Sequence, residues 1–137
     1  MSIKENKAVV LHFYEFFNRG EFNACNELIS PLFVSHRTTG DVSAKDLKSG
    51  TENLIAAFPD MKLSIEQMVA EGDKVAFREI AEGTHKGEFM GIAPTGKKFK
   101  MINACILKIV DGKWAEAWTT MDELNLMQQL GVIPKQQ

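Results

Sequence analysis

The chain has little of what marks a secreted, membrane-spanning or nucleic-acid-binding protein. Its two cysteines, Cys25 and Cys105, stand far apart and form no Cys-x-x-Cys pair. That pattern suits two buried thiols in a reducing compartment better than a disulfide framework or a metal site. Three histidines, at positions 12, 36 and 85, have no ligand spacing, so no metal is expected. No apolar run approaches the roughly 20 residues of a membrane helix. The N-terminal stretch MSIKENKAVVLHFYEFF is interrupted by His12 and Glu15 and leads to no small-residue cleavage site, which argues against an export signal. Adjacent lysine or arginine residues occur only at Lys97-Lys98, and the formal charge is -2. A phosphate-tracking surface needs a basic cluster, so nucleic acid is not an expected partner. These absences describe a cytoplasmic protein without a membrane partner.

What remains is an ordinary globular composition, 45% apolar and 25% charged over 137 residues. One core usually organises roughly 100–200 residues, so residues 1–137 are read as a single domain. No repeats and no low-complexity linkers interrupt it.

The first half has helical spacing. Val9, Val10, Phe13, Phe16 and Phe17 recur every three or four residues and predict a helix over 3–18, stopped by Asn18-Arg19-Gly20. A shorter helix is predicted at 21–29, broken by Pro31, then a brief extended segment Phe33-Val34-Ser35-His36 entering a loop. Ser43 and Asp46 are spaced as a capping box that opens a third helix, ending at Pro59-Asp60. Beyond Pro59 the apolar period changes from 3.6 to 2. Strands are predicted around Leu63 and Ile65, over 74–82, over 98–110 and over 113–121, with turns at Glu71-Gly72-Asp73 and Asp111-Gly112. A last helix is predicted over 122–130. Helices first and an antiparallel meander afterwards make an α+β domain, with helices packed on one face of a curved sheet. Such packing leaves a cone-shaped hollow, the natural place for a small apolar molecule.

Two stretches carry the functional signal. In the last strand, Trp114, Glu116, Trp118, Thr120 and Asp122 share one parity, which suits a pocket wall more than a dry core. Solvent exposure is the competing reading for Glu116. Asp122 also stands where an aspartate caps a helix. The second stretch is GTHKGEFMGIAPTGKK, residues 83–98, about fifteen residues where strand connections usually have 2–5. Gly87, Gly91 and Gly96 allow it to fold back, and Phe89, Met90 and Ile92 make it too apolar for a solvated loop. It reads as a lid over the hollow or as a contact between subunits.

These same stretches resemble the SnoaL-like polyketide cyclase (ester cyclase) family, within the nuclear transport factor 2-like superfamily. The resemblance rests on Phe58-Pro59-Asp60, Glu71-Gly72-Asp73-Lys74-Val75, Asp111-Gly112-Lys113, Glu116-x-Trp118, Asp122 and Gln129-Leu130-Gly131. Its most specific piece is Gly83-Thr84-His85-x-Gly87-x-Phe89-x-Gly91-x-x-Pro94-Thr95-Gly96, and it runs from about Lys7 to Gly131. The resemblance implies a cone closed by the N-terminal helices and a homodimer formed through the outer face of the sheet. It also implies an intramolecular aldol ring closure, on a bulky apolar carbonyl substrate of polyketide type, with neither metal nor cofactor. Asp122 would be its general acid/base, with His36 and Arg78 as catalytic helpers. Phe13, Phe17, His85, Phe89, Asn103, Glu116 and Trp118 would line the substrate site.

Each helper has a plainer reading. His36 fits a surface loop equally well. Arg78 is either pocket-facing or on an open face of the sheet. Asn103 can be satisfied by a structural hydrogen bond, and His85 can shape its own loop. Two other functions stay open: a non-catalytic binding domain for a small apolar ligand, and a steroid-isomerase-like proton shuttle, which wants a tyrosine beside a carboxylate. Tyr14 is the only tyrosine. An epoxide hydrolase of the superfamily wants an Asp-Arg-Asp set, for which Arg78 and Asp122 have no third member.

Overall fold

The computed structural model describes residues 2–134. Helix α1 (Ile3–Asn18) starts at a reciprocal capping box: Glu5 N–H donates to Ser2 Oγ, and Ser2 N–H donates to Glu5 Oε1. These two bonds satisfy helix-end donors that would otherwise lack partners. The helix buries Val9, Val10, Tyr14 and Phe17 and ends where Gly20 takes a left-handed conformation. Helix α2 (Phe22–Glu27) follows, then strand β1 (Ile29–Arg37), hairpin strand β2 (Gly40–Ser43), and helix α3 (Ala44–Ala57). Ser43 caps α3 by accepting Asp46 N–H, as its spacing predicts.

Four strands complete the sheet: β3 (Lys62–Glu71), β4 (Lys74–Thr84), β5 (Lys98–Val110) and β6 (Lys113–Thr120). A short helix, α4 (Glu123–Gln129), ends the fold. The expected antiparallel meander β3-β4-β5-β6 is present. The strand order is β2-β1-β6-β5-β4-β3, because β1 pairs in parallel with β6. β1 is longer than the four residues expected and β2 stands where a loop is expected, since Pro31 and the Thr38–Val42 stretch look like breakers. The proline is tolerated where the β1–β6 register is interrupted, between Ile29 and Val34.

The helices lie on the concave face of this curved sheet, giving the expected α+β architecture. One cluster of buried side chains joins Val10 and Tyr14 of α1 to Phe33, Val75, Leu107 and Trp114 of the strands. A second joins Phe17 and Phe58 to Ala81, Phe99, Met101 and, from α4, Leu126 and Leu130. Asp60 pins the end of β4 by accepting Thr84 N–H at 2.8 Å and Thr84 Oγ1 at 2.7 Å. Both cysteines are buried free thiols. Among the described residues, no helix is long and apolar enough to cross a membrane.

Candidate functional site

Strand alternation decides which polar side chains meet the interior. On β4 the inward row is Val75, Phe77, Glu79 and Ala81, so a single carboxylate stands among apolar neighbours. Tyr14 reaches it from α1, and its hydroxyl donates to Glu79 Oε2 at 2.5 Å. The Cys105 thiol lies 3.8 Å from the same oxygen, and Asn103 sits directly opposite Glu79 on β5. Burial pushes the Glu79 pKa up, and the donor groups of Tyr14, Asn103 and Cys105 oppose that rise. Tyr14 is raised well above the usual phenol range, first by burial and then by the Glu79 charge. Burial, with Glu79 adding to it, pushes the Cys105 thiol up to about 12. A desolvated carboxylate kept usable by three donors has the properties of a general base.

This group opens into a cavity of ≈ 480 Å³ between the helices and the sheet. Phe13, Phe17 and Phe22 form its helical wall, Phe33, Phe77 and Trp114 its sheet wall, and Phe89 with Met90 its cover. Phe13 and Trp114 stack with ring centroids 3.9 Å apart.

The cover is built by local chemistry. His85 is fully buried, and its Nδ1 accepts Thr95 N–H at 3.2 Å. Lys86 and Gly87 both donate to the Ala57 carbonyl, fastening the loop to the end of α3. Gly87 lies so close to the Ala56 carbonyl oxygen that a Cβ there would overlap it. Phe89 and Ile92 exchange backbone bonds around Met90 and Gly91, both at positive φ, so Met90 projects from a tight turn at the cavity mouth. Of the two roles expected of this loop, the cover over the hollow is the one this geometry favours.

The family profile of the SnoaL-like polyketide cyclases matches residues 7–130. The chain belongs to the SnoaL-like polyketide cyclase family. A comparison with curated proteins gave no match. Among solved structures, AclR of Streptomyces galilaeus, described as a proposed hydroxylase, is similar at 34% identity and a TM-score of 0.92. That similarity covers 99% of this chain and 87% of AclR. IdmH of Streptomyces antibioticus, described as a proposed polyketide cyclase, is similar at 33% identity and TM-score 0.81, covering 93% and 99% of the two chains. A SnoaL-like protein of Jannaschia sp. CCS1 shares the fold at 22% identity and TM-score 0.83, over 98% and 97%.

In this SnoaL-like chain the expected site residues divide between two faces. Phe13, Phe17, Phe89 and Asn103 line the cavity. Asp122 does not: its carboxylate is exposed and caps α4, with Oδ1 accepting Asn125 N–H at 3.4 Å. Only its backbone N–H turns toward the site, donating to Asn103 Oδ1 at 3.2 Å. The general-base position expected for Asp122 is therefore corrected to a helix cap.

His36, Arg78, Glu116 and Trp118 are corrected as well, because they occupy the outer face of the sheet. His36 Nε2 meets Glu116 Oε2 at 2.6 Å and its Nδ1 meets Asp41 Oδ1 at 3.0 Å, while Trp118 packs beside the ring. Arg78 Nη1 lies 3.6 Å from Glu66 Oε1. His36, Arg78 and Trp118 border a second hollow of ≈ 510 Å³, more open to solvent than the first. Among the described residues, no three potential metal ligands converge. His85 supports the loop and does not line the cavity.

For Glu116 and Trp118 the reason is a β-bulge. Trp114 pairs with Ile109, but Glu116 pairs with Lys108, so Ala115 is an extra residue on β6. Trp114 therefore faces inward while Glu116 and Trp118 face outward, and the strict parity assumed across 114–122 fails. Glu79 was the residue overlooked. Its signal was present in the alternation of Val75 and Phe77 with Ala76, Arg78 and Ile80, which puts position 79 on the core face.

Proposed function

We propose that the protein is an acid/base enzyme that removes a proton beside a carbonyl of a bulky apolar substrate, with Glu79 as the base. The observation that carries this reading is the part-buried Tyr14–Glu79 pair inside an aromatic-lined cavity. A C–H beside a carbonyl is weakly acidic, so its removal needs a base out of bulk water and donors near the developing enolate. Tyr14, Asn103 and Cys105 surround Glu79 and supply donor groups there. In the ring-closing form of the reaction, the enolate carbon attacks a second carbonyl of the same molecule, and the new alkoxide takes a proton. Membership of the cyclase family supports that outcome.

A second reading keeps the proton transfer and omits ring closure, as a steroid-isomerase-like shuttle would. The tyrosine beside a carboxylate favours it. Both readings share one test. Methyl naphthyl ketone in deuterated buffer should exchange its methyl protons faster with the protein than without, followed by proton NMR. Glu79→Gln should remove about 10²–10⁴-fold of that acceleration. Exchange equal in wild type and buffer would leave the domain as a binding module.

The same reading has the substrate as the partner in the cavity and a second copy of the chain on the outer face. Ile102, Ile106 and Val69 are exposed there, beside Ala104 and Trp118. An apolar strip of this kind suits an interface between copies. Light scattering should give twice the chain mass, and Ile106→Glu should return it to the monomer. A monomeric wild type would remove this part of the proposal.

A further inference from the structure

The inward row of β1 is Phe33, Ser35 and Arg37, all three lining the cavity. Ser35 is 1% exposed, and Arg37 is half-buried. The guanidinium has one hydrogen bond, from Nε to Ser35 Oγ at 3.4 Å. None of the ion pairs among the described residues includes it. A guanidinium drawn partly out of water without a counter-charge is costly, and its planar fork matches a carboxylate with two parallel bonds.

Strand register places this cation relative to Glu79. Arg37 follows the His36–Trp118 pair, which sets it beside Thr119; Thr119 pairs with Cys105 on β5. Cys105 in turn pairs with Phe77, two residues before Glu79. The positive and negative groups thus approach Cys105 from opposite sides. The Arg37 charge acts on the thiol, and Glu79 Oε2 lies 3.8 Å from it. The strands that carry them, β1 and β4, stand three strand spacings apart, about 14 Å between backbones, and the cavity spans that distance.

We propose that Arg37 binds a carboxylate of the substrate, so that the protein acts on an apolar carbonyl compound carrying an acid group across the cavity from the C–H that Glu79 attacks. This rests on Glu79 being the base, and it deepens that reading by naming the substrate class. Arg37 sets specificity by fixing one end of the molecule, which positions the other end against the base.

The test is equilibrium binding, with no turnover required. Naphthoate and methyl naphthyl ketone have nearly the same shape and differ in charge. Calorimetry on the wild type should show naphthoate bound at least about tenfold tighter, the scale of a charge-assisted pair. Arg37→Met should abolish that preference, and ketone binding that persists in the variant reports an intact cavity. Arg37→Lys should keep part of it. Glu79→Gln should keep all of it while losing proton exchange, so failure of the base assignment and failure of the Arg37 assignment read out separately. No preference in the wild type, no detectable naphthoate binding, or a full preference in Arg37→Met would overturn the proposal. Should Arg37→Met not fold, an undiminished preference in Arg37→Lys overturns it instead.

Discussion

The Tyr14 hydroxyl and the Glu79 carboxylate meet at 2.5 Å, joining the first helix to the fourth strand inside the cavity. The bond holds the Glu79 pKa down against the rise that burial causes. Tyr14→Phe should therefore move the ascending limb of the pH–rate profile to higher pH and lower the rate at neutral pH by about 10–100-fold. The measurement is ketone proton exchange between acid and mildly alkaline pH. An unmoved limb would detach Tyr14 from the base. Loss of a bond to an ionised group should also cost about 1.5–3 kcal/mol of stability at neutral pH.

Glu79→Gln should trade activity for stability. The folded pKa of Glu79 lies above its ordinary value, so in the window between the two the native state binds more protons than the unfolded chain. Stability then falls as pH rises through that window and levels off above it. Glutamine removes the titration. Urea unfolding across pH should show the variant flatter than wild type and more stable at neutral pH, with proton exchange gone.

Asp122 separates a capping role from a chemical one. Asparagine caps helices about as well as aspartate, whereas alanine costs about 0.5–2 kcal/mol. Asp122→Asn should keep both stability and proton exchange, and Asp122→Ala should lower stability alone. A loss of exchange in Asp122→Asn with an intact fold would return Asp122 to the mechanism.

His36 has a raised pKa, chiefly through its bond to Glu116 and then through Asp41. Its contribution to stability is fully present below the ordinary value of 6.5 and is lost as pH rises through the folded value. His36→Gln should remove that slope, which lies above pH 6.5, from the wild-type stability profile. Since His36 lies on the outer face, cavity binding of methyl naphthyl ketone should not change.

Gly87→Ala should disturb the cavity cover without touching the polar site. A methyl there overlaps the Ala56 carbonyl, so the fastening of the loop to α3 must shift. Overpacking of this kind costs about 1–3 kcal/mol. Hydrogen exchange should rise at the Lys86 and Gly87 amides, with the sheet core unaffected.

Much of the fold was legible because local chemistry and long-range packing agree. The Ser43–Asp46 cap, the Gly20 stop and the glycine turns between β3 and β4 and between β5 and β6 each fall where their residue types require. The parallel β1–β6 pair was not legible, since nothing local to Ile29–Arg37 names a partner so distant in sequence. In the site, Phe13, Phe17, Phe89 and Asn103, which the family resemblance pointed to, line the cavity. Glu116 and Trp118 were misplaced because one bulged residue inverts every side chain beyond it, and a bulge at Ala115 leaves no mark in the sequence. Strand alternation marks position 79 as inward, but Arg37 ends a strand with too few flanking residues to fix its face from the sequence.

The β1–β6 pairing also sets a schedule for synthesis. His36 and Glu116 are 80 residues apart, so β1 emerges from the ribosome well before the strand it must lie beside. At about 5–20 residues per second, that strand waits roughly 4–16 s for its neighbour. During that interval β2 is its hairpin partner and its other edge stays open. Pro31, exposed on that strand and without an N–H to offer, blunts the open edge against pairing with the next nascent chain.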